Sequence, residues 1–160
     1  MFQVVLVEPE IPPNTGNVAR LCLAANARLH LVGPLGFSLE DKYLRRAGMD
    51  YWEQVNVTVW KDWEHFYEAN LTDARYFLLT TKTDRAYYDA DFQPGDFLIF
   101  GRETRGLPES LLNSTAGRQH ALTIPMARAA RSLNLATAAG IVLFEAMRQC
   151  RDFATPDADA

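Results

Sequence analysis

Phe97-Leu98-Ile99-Phe100-Gly101-Arg102-Glu103-Thr104-Arg105-Gly106-Leu107-Pro108 decides how this chain is read. An apolar run of strand length meets a loop bounded by two glycines, and a proline suited to the first turn of a helix closes it. Gly101 would let backbone approach a ligand closely, and Gly106 permits a positive φ. A plain strand-to-helix turn needs one glycine and gains nothing from Glu103 set between Arg102 and Arg105. The stretch therefore reads as strand, binding loop and helix.

The same alternation runs outward in both directions. Phe2 to Val7 is an apolar strand ended by the prolines of Glu8-Pro9-Glu10-Ile11-Pro12-Pro13, which lack the donor a ladder needs. Asn14 is placed to cap a helix through Val18, Leu21, Cys22 and Ala25, reaching Asn26. Leu29 to Val32 repeats the strand signal, and Leu39 to Ala47 reads as a short basic helix. Val55 to Val59 alternates with period two, Asp62 to Asn70 has helical composition, and Tyr76 to Thr80 is another strand. A sixth strand is expected at Ala121 to Ile124, before a last helix from about Leu133 to Gln149. Alternating strands and helices predict an α/β fold, with a mainly parallel sheet flanked by helices. One domain over residues 1–150 is expected, with 151–160 as a frayed tail.

Composition removes several functions. A chain of 160 residues with 48% apolar content can bury one substantial core. No apolar run at the start is long enough for a signal peptide, and Ser132 to Phe144 is too short to span a bilayer, so a cytoplasmic protein is expected. Cys22 and Cys150 form no CxxC pair and have no histidine at ligand spacing, so no metal site is expected. His30, His65 and His120 stand apart without partners and read as core or surface residues. Dinucleotide, phosphate-loop, zinc-protease and hydrolase-nucleophile patterns are all missing. A net charge of −4 means that any nucleic-acid surface must be a local patch.

Two further clusters share the character of the first. Asn14-Thr15-Gly16-Asn17-Val18-Ala19-Arg20 follows the first strand, and its three-residue step puts Asn17 and Arg20 on one helix face. Ile124-Pro125-Met126 leads through Arg128 and Arg131 to Ser132-Leu133-Asn134 at the start of the last helix, where Ser132 is a natural N-cap and Asn134 suits either a cap or a ligand. Ligands of α/β sheets gather at the carboxyl ends of strands. From the residues alone, the chain is a ligand-binding α/β domain.

Together, in order and spacing, these clusters resemble the three signature motifs of the SPOUT-class RNA 2′-O-ribose methyltransferases, over Phe2 to Gln149. With Val7-Glu8-Pro9-Glu10-Ile11-Pro12-Pro13-Asn14 and Leu44-Arg45-Arg46-Ala47-Gly48-Met49-Asp50-Tyr51, the chain is most similar to the minimal members that methylate tRNA wobble nucleotide 34, a cytidine or uridine derivative. The resemblance implies a deep C-terminal trefoil knot and a homodimer joined through the first and last helices. It implies S-adenosylmethionine as cofactor, S-adenosylhomocysteine as product, and no metal. Cofactor contacts would fall at Leu79, Thr80, Gly101, Glu103, Gly106, Ile124, Met126, Ser132, Leu133 and Asn134. Arg20 would act on the 2′-hydroxyl at the partner's cofactor, supported by Asn14, Glu103 and Asn134.

For tRNA the expected contacts are Asn17, Lys42, Arg45, Arg46, Arg105 and Arg131, with Arg102 and Arg128 nearby and Tyr51 and Trp52 as stacking platforms or core residues. The chain departs from the family pattern at Arg102, where a small residue or proline is usual. It also departs at Ala129-Ala130, Ala136-Thr137 and Phe144. The competing readings are a ribose methyltransferase of another tRNA position or of rRNA, and a non-catalytic knotted RNA-binding protein.

Overall fold

The computed structural model describes residues 1–40, 42, 44, 46 and 49–151. Its strands are β1 (Gln3–Val7), β2 (Arg28–Val32), β3 (Val57–Trp60), β4 (Tyr76–Leu79), β5 (Phe97–Phe100) and β6 (Ala121–Leu122). Its α-helices are α1 (Pro12–Ala24), α2 (Trp63–Asn70), α3 (Glu109–Asn113), α4 (Thr115–His120) and α5 (Leu135–Cys150). The strands form one sheet in the order β3-β2-β1-β5-β4-β6. All of its pairings are parallel, in agreement with the expected sheet.

Period-two side-chain direction sorts the core into two layers. Val4, Leu6, Leu29, Leu31, Leu98 and Phe100 point to the face covered by α1 and α5. Val5, Val7, Val32, Phe97 and Ile99 point to the opposite face, with Phe66 of α2 and Leu112 of α3. Both faces are covered, which is why the strands read as nearly continuous apolar runs. Cys22 lies in the first layer, where burial pushes its thiol up to about 12, so it behaves as a small apolar side chain.

Several boundaries move from their expected places. α1 starts at Pro12 rather than after Asn14, because Pro at the first helical positions has the right φ and no amide to leave unpaired. Asn14 does not cap it; it is buried within the first turns, 8% exposed. β3 ends at Trp60 instead of Val59, and Asp62 caps α2 by accepting the His65 amide at 3.0 Å. Within the expected basic helix at Leu39 to Ala47, residues 42, 44 and 46 are helical; Arg45 lies outside the described residues, as does the tail from 152. At the start of α5 the cap is Asn134, not Ser132: its Oδ1 accepts the Ala136 and Thr137 amides at 2.9 and 3.3 Å.

β6 is short, and its neighbours explain it. The Thr80 amide donates to Leu122 on one side, while Thr123 donates to Arg85 and Tyr87 to Thr123 on the other. The chain between β4 and β5 thus flanks β6 on both edges. Strand order reverses between β1 and β5, the position where open α/β sheets form ligand crevices.

Candidate active site

At the carboxyl ends of β4, β5 and β6 lies a cavity of about 630 Å³. Its floor is apolar, from Leu79, Phe100, Leu107, Ile124 and Leu135, and its rim is polar, from Thr80, Lys82 and residues 101–106 and 131–134. All of the positions expected to hold a cofactor, from Leu79 and Thr80 through Gly101, Glu103, Gly106, Ile124 and Met126 to Ser132, Leu133 and Asn134, line this one cavity.

The glycine loop closes as a tight turn. The Gly106 amide donates to Arg102 at 2.9 Å and the Arg102 amide to Gly106 at 3.2 Å. Gly106 has φ +67°, a conformation that L side chains rarely adopt, and a Cβ on Gly101 would lie 2.1 Å from the Gly106 carbonyl carbon and the Leu107 nitrogen. Two different constraints therefore require the two glycines.

Glu103 and Asn134 meet through Asn14. The Glu103 carboxylate accepts the Glu10 amide at 2.9 Å, the Ile11 amide at 3.0 Å and the Asn14 side-chain amide at 3.4 Å. Asn134 in turn donates to Asn14 Oδ1 at 2.9 Å. All three motifs are tied into one chain of hydrogen bonds that satisfies the amides leading into α1 and α5. These three residues, expected to support catalysis, are here occupied in holding loops to helices.

Other expected residues separate into two groups. Arg105 and Arg131 are exposed and line the cavity. Asn17 and Arg20 share the exposed face of α1, outside that lining, and Lys42 and Arg46 are exposed elsewhere. Trp52 packs half-buried against the core between sheet and helices, while the Tyr51 side chain lies outside the described residues. Arg102 forms an ion pair with Glu8, at 2.7 Å.

Sequence reasoning missed the clasp between the loops after β1 and β5. Beside Glu8 and Arg102, Thr104 Oγ1 donates to the Glu10 carboxylate at 2.8 and 3.1 Å. In the sequence Glu8 and Glu10 are strand-ending loop residues and no more, since nothing local says which distant loop a surface carboxylate meets.

The profile of the SpoU rRNA Methylase family matches residues 1–144. A tRNA (cytidine(34)-2′-O)-methyltransferase from Burkholderia pseudomallei (strain 1106a) is 51% identical over 150 residues, covering 93% of this chain and 96% of the relative. A solved structure described as giving insights into the 2-OH methylation of C/U34 on tRNA superposes with a TM-score of 0.87 at 46% identity, covering 93% of this chain and 95% of the other. The SpoU methyltransferase AviRb from Streptomyces viridochromogenes, in complex with the cofactor AdoMet, superposes with a TM-score of 0.74 at 28% identity, over 92% of this chain and 59% of that one.

Proposed function

The chain belongs to the SpoU rRNA methylase family, and from that premise we propose that it is a tRNA (cytidine(34)-2′-O)-methyltransferase. It moves the methyl group of S-adenosylmethionine to the 2′-hydroxyl of wobble nucleotide 34. The observation that carries this reading is the meeting of all three motifs in one cavity, in a chain 51% identical to a relative of that name.

The cavity suits this cofactor. Its volume of about 630 Å³ is within the range of small-molecule sites, which bury flat apolar groups and orient them by a few polar contacts. Leu79, Phe100, Ile124 and Leu135 offer the adenine an apolar bed, and Gly101 and Gly106 keep side chains out of the wall beside it. S-adenosylmethionine supplies an electrophilic methyl on a sulfonium, so no metal is needed to activate it. What remains for the protein is to align the ribose oxygen with that methyl and to stabilise the charge that develops on the oxygen.

Arg20 is assigned the second task. A guanidinium donates hydrogen bonds and accepts none, so its part is to hold and polarise the 2′-oxygen, not to remove its proton. Arg20 does not line the cavity of its own chain, and in this reading it acts on the cofactor bound by a partner subunit. A homodimer through α1 and α5 follows. Its seam uses Phe144, 43% exposed, with the half-buried Leu21, Gly140 and Ile141. Asn17, Lys42, Arg45, Arg46, Arg105 and Arg131 serve the tRNA. Asn14, Glu103 and Asn134 position the loops and do not touch the reacting atoms. Residues 1–150 act as one catalytic domain, knotted where residues beyond β6 pass the segment between β4 and β5. No described helix is long and apolar enough to cross a membrane, and the enzyme meets its tRNA in the cytoplasm.

The test is transfer of labelled methyl from S-adenosylmethionine to unmodified and cellular tRNA pools, followed by nucleoside mapping. Label should appear as a 2′-O-methyl group at position 34 and vanish with Arg20→Ala. Label at another tRNA position or in rRNA would move the target, and cofactor binding without transfer to any RNA would make the chain a binding protein.

A further inference from the structure

Methyl transfer to a hydroxyl releases a proton, and Arg20 has no lone pair to take it. Among the described residues lining the cavity, Glu103 is the one carboxylate, and no histidine, aspartate or cysteine joins it. Both Glu103 oxygens are occupied, Oε1 by Ile11 and Asn14 and Oε2 by Glu10. A carboxylate not committed to loop amides, within reach of the cavity but outside its immediate wall, is the better proton sink.

Thr104 meets the first half of that requirement, since it lines the cavity. Its hydroxyl proton is directed at the Glu10 carboxylate, 2.8 Å from Oε1 and 3.1 Å from Oε2. A hydroxyl that donates in this way still has lone pairs with which to accept from a second hydroxyl. The geometry around the pair is fixed on both sides. Thr104 sits in the turn closed by Arg102 and Gly106, and the Glu10 backbone is held by Glu103 and, through Pro9, by the Gly36 amide. Arg102, on the same turn, is paired with Glu8.

We propose that Thr104 and Glu10 form the proton exit of the methyl transfer, an inference that rests on the methyltransferase reading above. As the ribose oxygen takes the methyl from the sulfonium, leaving a neutral thioether, its own proton passes to Thr104 Oγ1. The proton that Thr104 held passes to the Glu10 carboxylate, and from there to solvent. Arg20 and this relay then divide the work: the cation stabilises the oxygen and the carboxylate receives the proton.

The experiment combines single-turnover transfer from the preformed chain–cofactor complex to tRNA with calorimetric binding of S-adenosylmethionine. Glu10→Gln keeps an acceptor for the Thr104 hydroxyl but removes the proton sink; Thr104→Val removes the hydroxyl and Thr104→Ser keeps it. General-base assistance is worth about 10²-fold or more, so Glu10→Gln and Thr104→Val should slow transfer by about that factor. Thr104→Ser should stay within about threefold of the parent, and cofactor affinity should change less than about twofold in all three variants, because only the reacting state is affected. A rate for Glu10→Gln close to that of the parent would overturn the relay, and so would a fall in cofactor affinity as large as the fall in rate, which marks a bond that merely holds the loop. A parent chain that transfers no methyl to any RNA overturns the methyltransferase reading itself, an outcome distinct from a working parent with working variants.

Discussion

Asn14 uses both ends of its side-chain amide inside the protein, donating to Glu103 and accepting from Asn134. Removing it takes one bond from Glu103 and one from Asn134, and because both partners reach solvent the cost is about 0.5–1.5 kcal/mol for each bond. Asn14→Ala should therefore lower the thermal midpoint and weaken S-adenosylmethionine binding together, read by scanning calorimetry and titration. Asn14→Asp should be worse than alanine, because it sets a second carboxylate against Glu103 where a donor stood. His30 shows the same economy in the other layer of the core. The Trp60 indole donates to its Nδ1 at 3.0 Å, which leaves the ring proton on Nε2 for Gln3 Oε1 at 2.9 Å. Burial, helped by the charge of Arg28, lowers the ring to about 4 from its ordinary 6.5. The unfolded chain is then protonated first as pH falls, so the stability that neutral His30 gives is complete above pH 6.5 and is lost between pH 6.5 and about 4. The full loss is about 3 kcal/mol. Urea midpoints across that range should fall for the parent and fall less for His30→Gln; parallel curves would remove the assignment.

Among the elements, the turn from Gly101 to Gly106 allows the sharpest comparison. Alanine at 106 meets open space and pays only for its positive φ, about 1 kcal/mol. Alanine at 101 would drive a methyl into the Gly106–Leu107 peptide. Gly101→Ala should thus lose cofactor binding by tenfold or more, on the order of 1.4 kcal/mol, with the circular dichroism of the fold retained, while Gly106→Ala keeps most of it. This turn was legible in the sequence because glycine is a local signal, as were β1, β2, β4 and β5, whose apolar runs follow from a sheet covered on both faces. The start of α1 was not. Asn14 has the composition of a cap, yet the amides before it go to Glu103, a residue far along the chain. For the same reason nothing in the sequence pairs Arg102 with Glu8, far earlier in the chain, although the fold joins them. Composition reports what a residue can bond, and only the fold decides which group arrives to bond it.

At the scale of the whole molecule, chain path was beyond any periodicity: that the segment between β4 and β5 flanks β6 on both edges depends on pairings between residues far apart in sequence, which no local pattern reports. The same path brings α5 back beside α1, with Phe144 and Ile141 on its outer side. In the homodimer proposed above, Phe144, 43% exposed on a helix otherwise packed into the core, would lie under the second subunit. Phe144→Glu should then yield a monomer in sedimentation with little methyl transfer, although each monomer keeps its cavity. Dimerisation alone does not say whether Arg20 works across the seam, and mixing two inactive chains does. Arg20→Ala retains a cofactor cavity, and Gly101→Ala retains Arg20. If Arg20 reaches the partner's cofactor, heterodimers of the two contain one site with both parts intact, and mixing after subunit exchange should restore a substantial fraction of parental transfer. If Arg20 serves its own chain, neither site of the heterodimer is whole and mixing restores nothing. Recovered activity that disappears when the Phe144→Glu change is added to both chains would tie the composite site to the α1–α5 face.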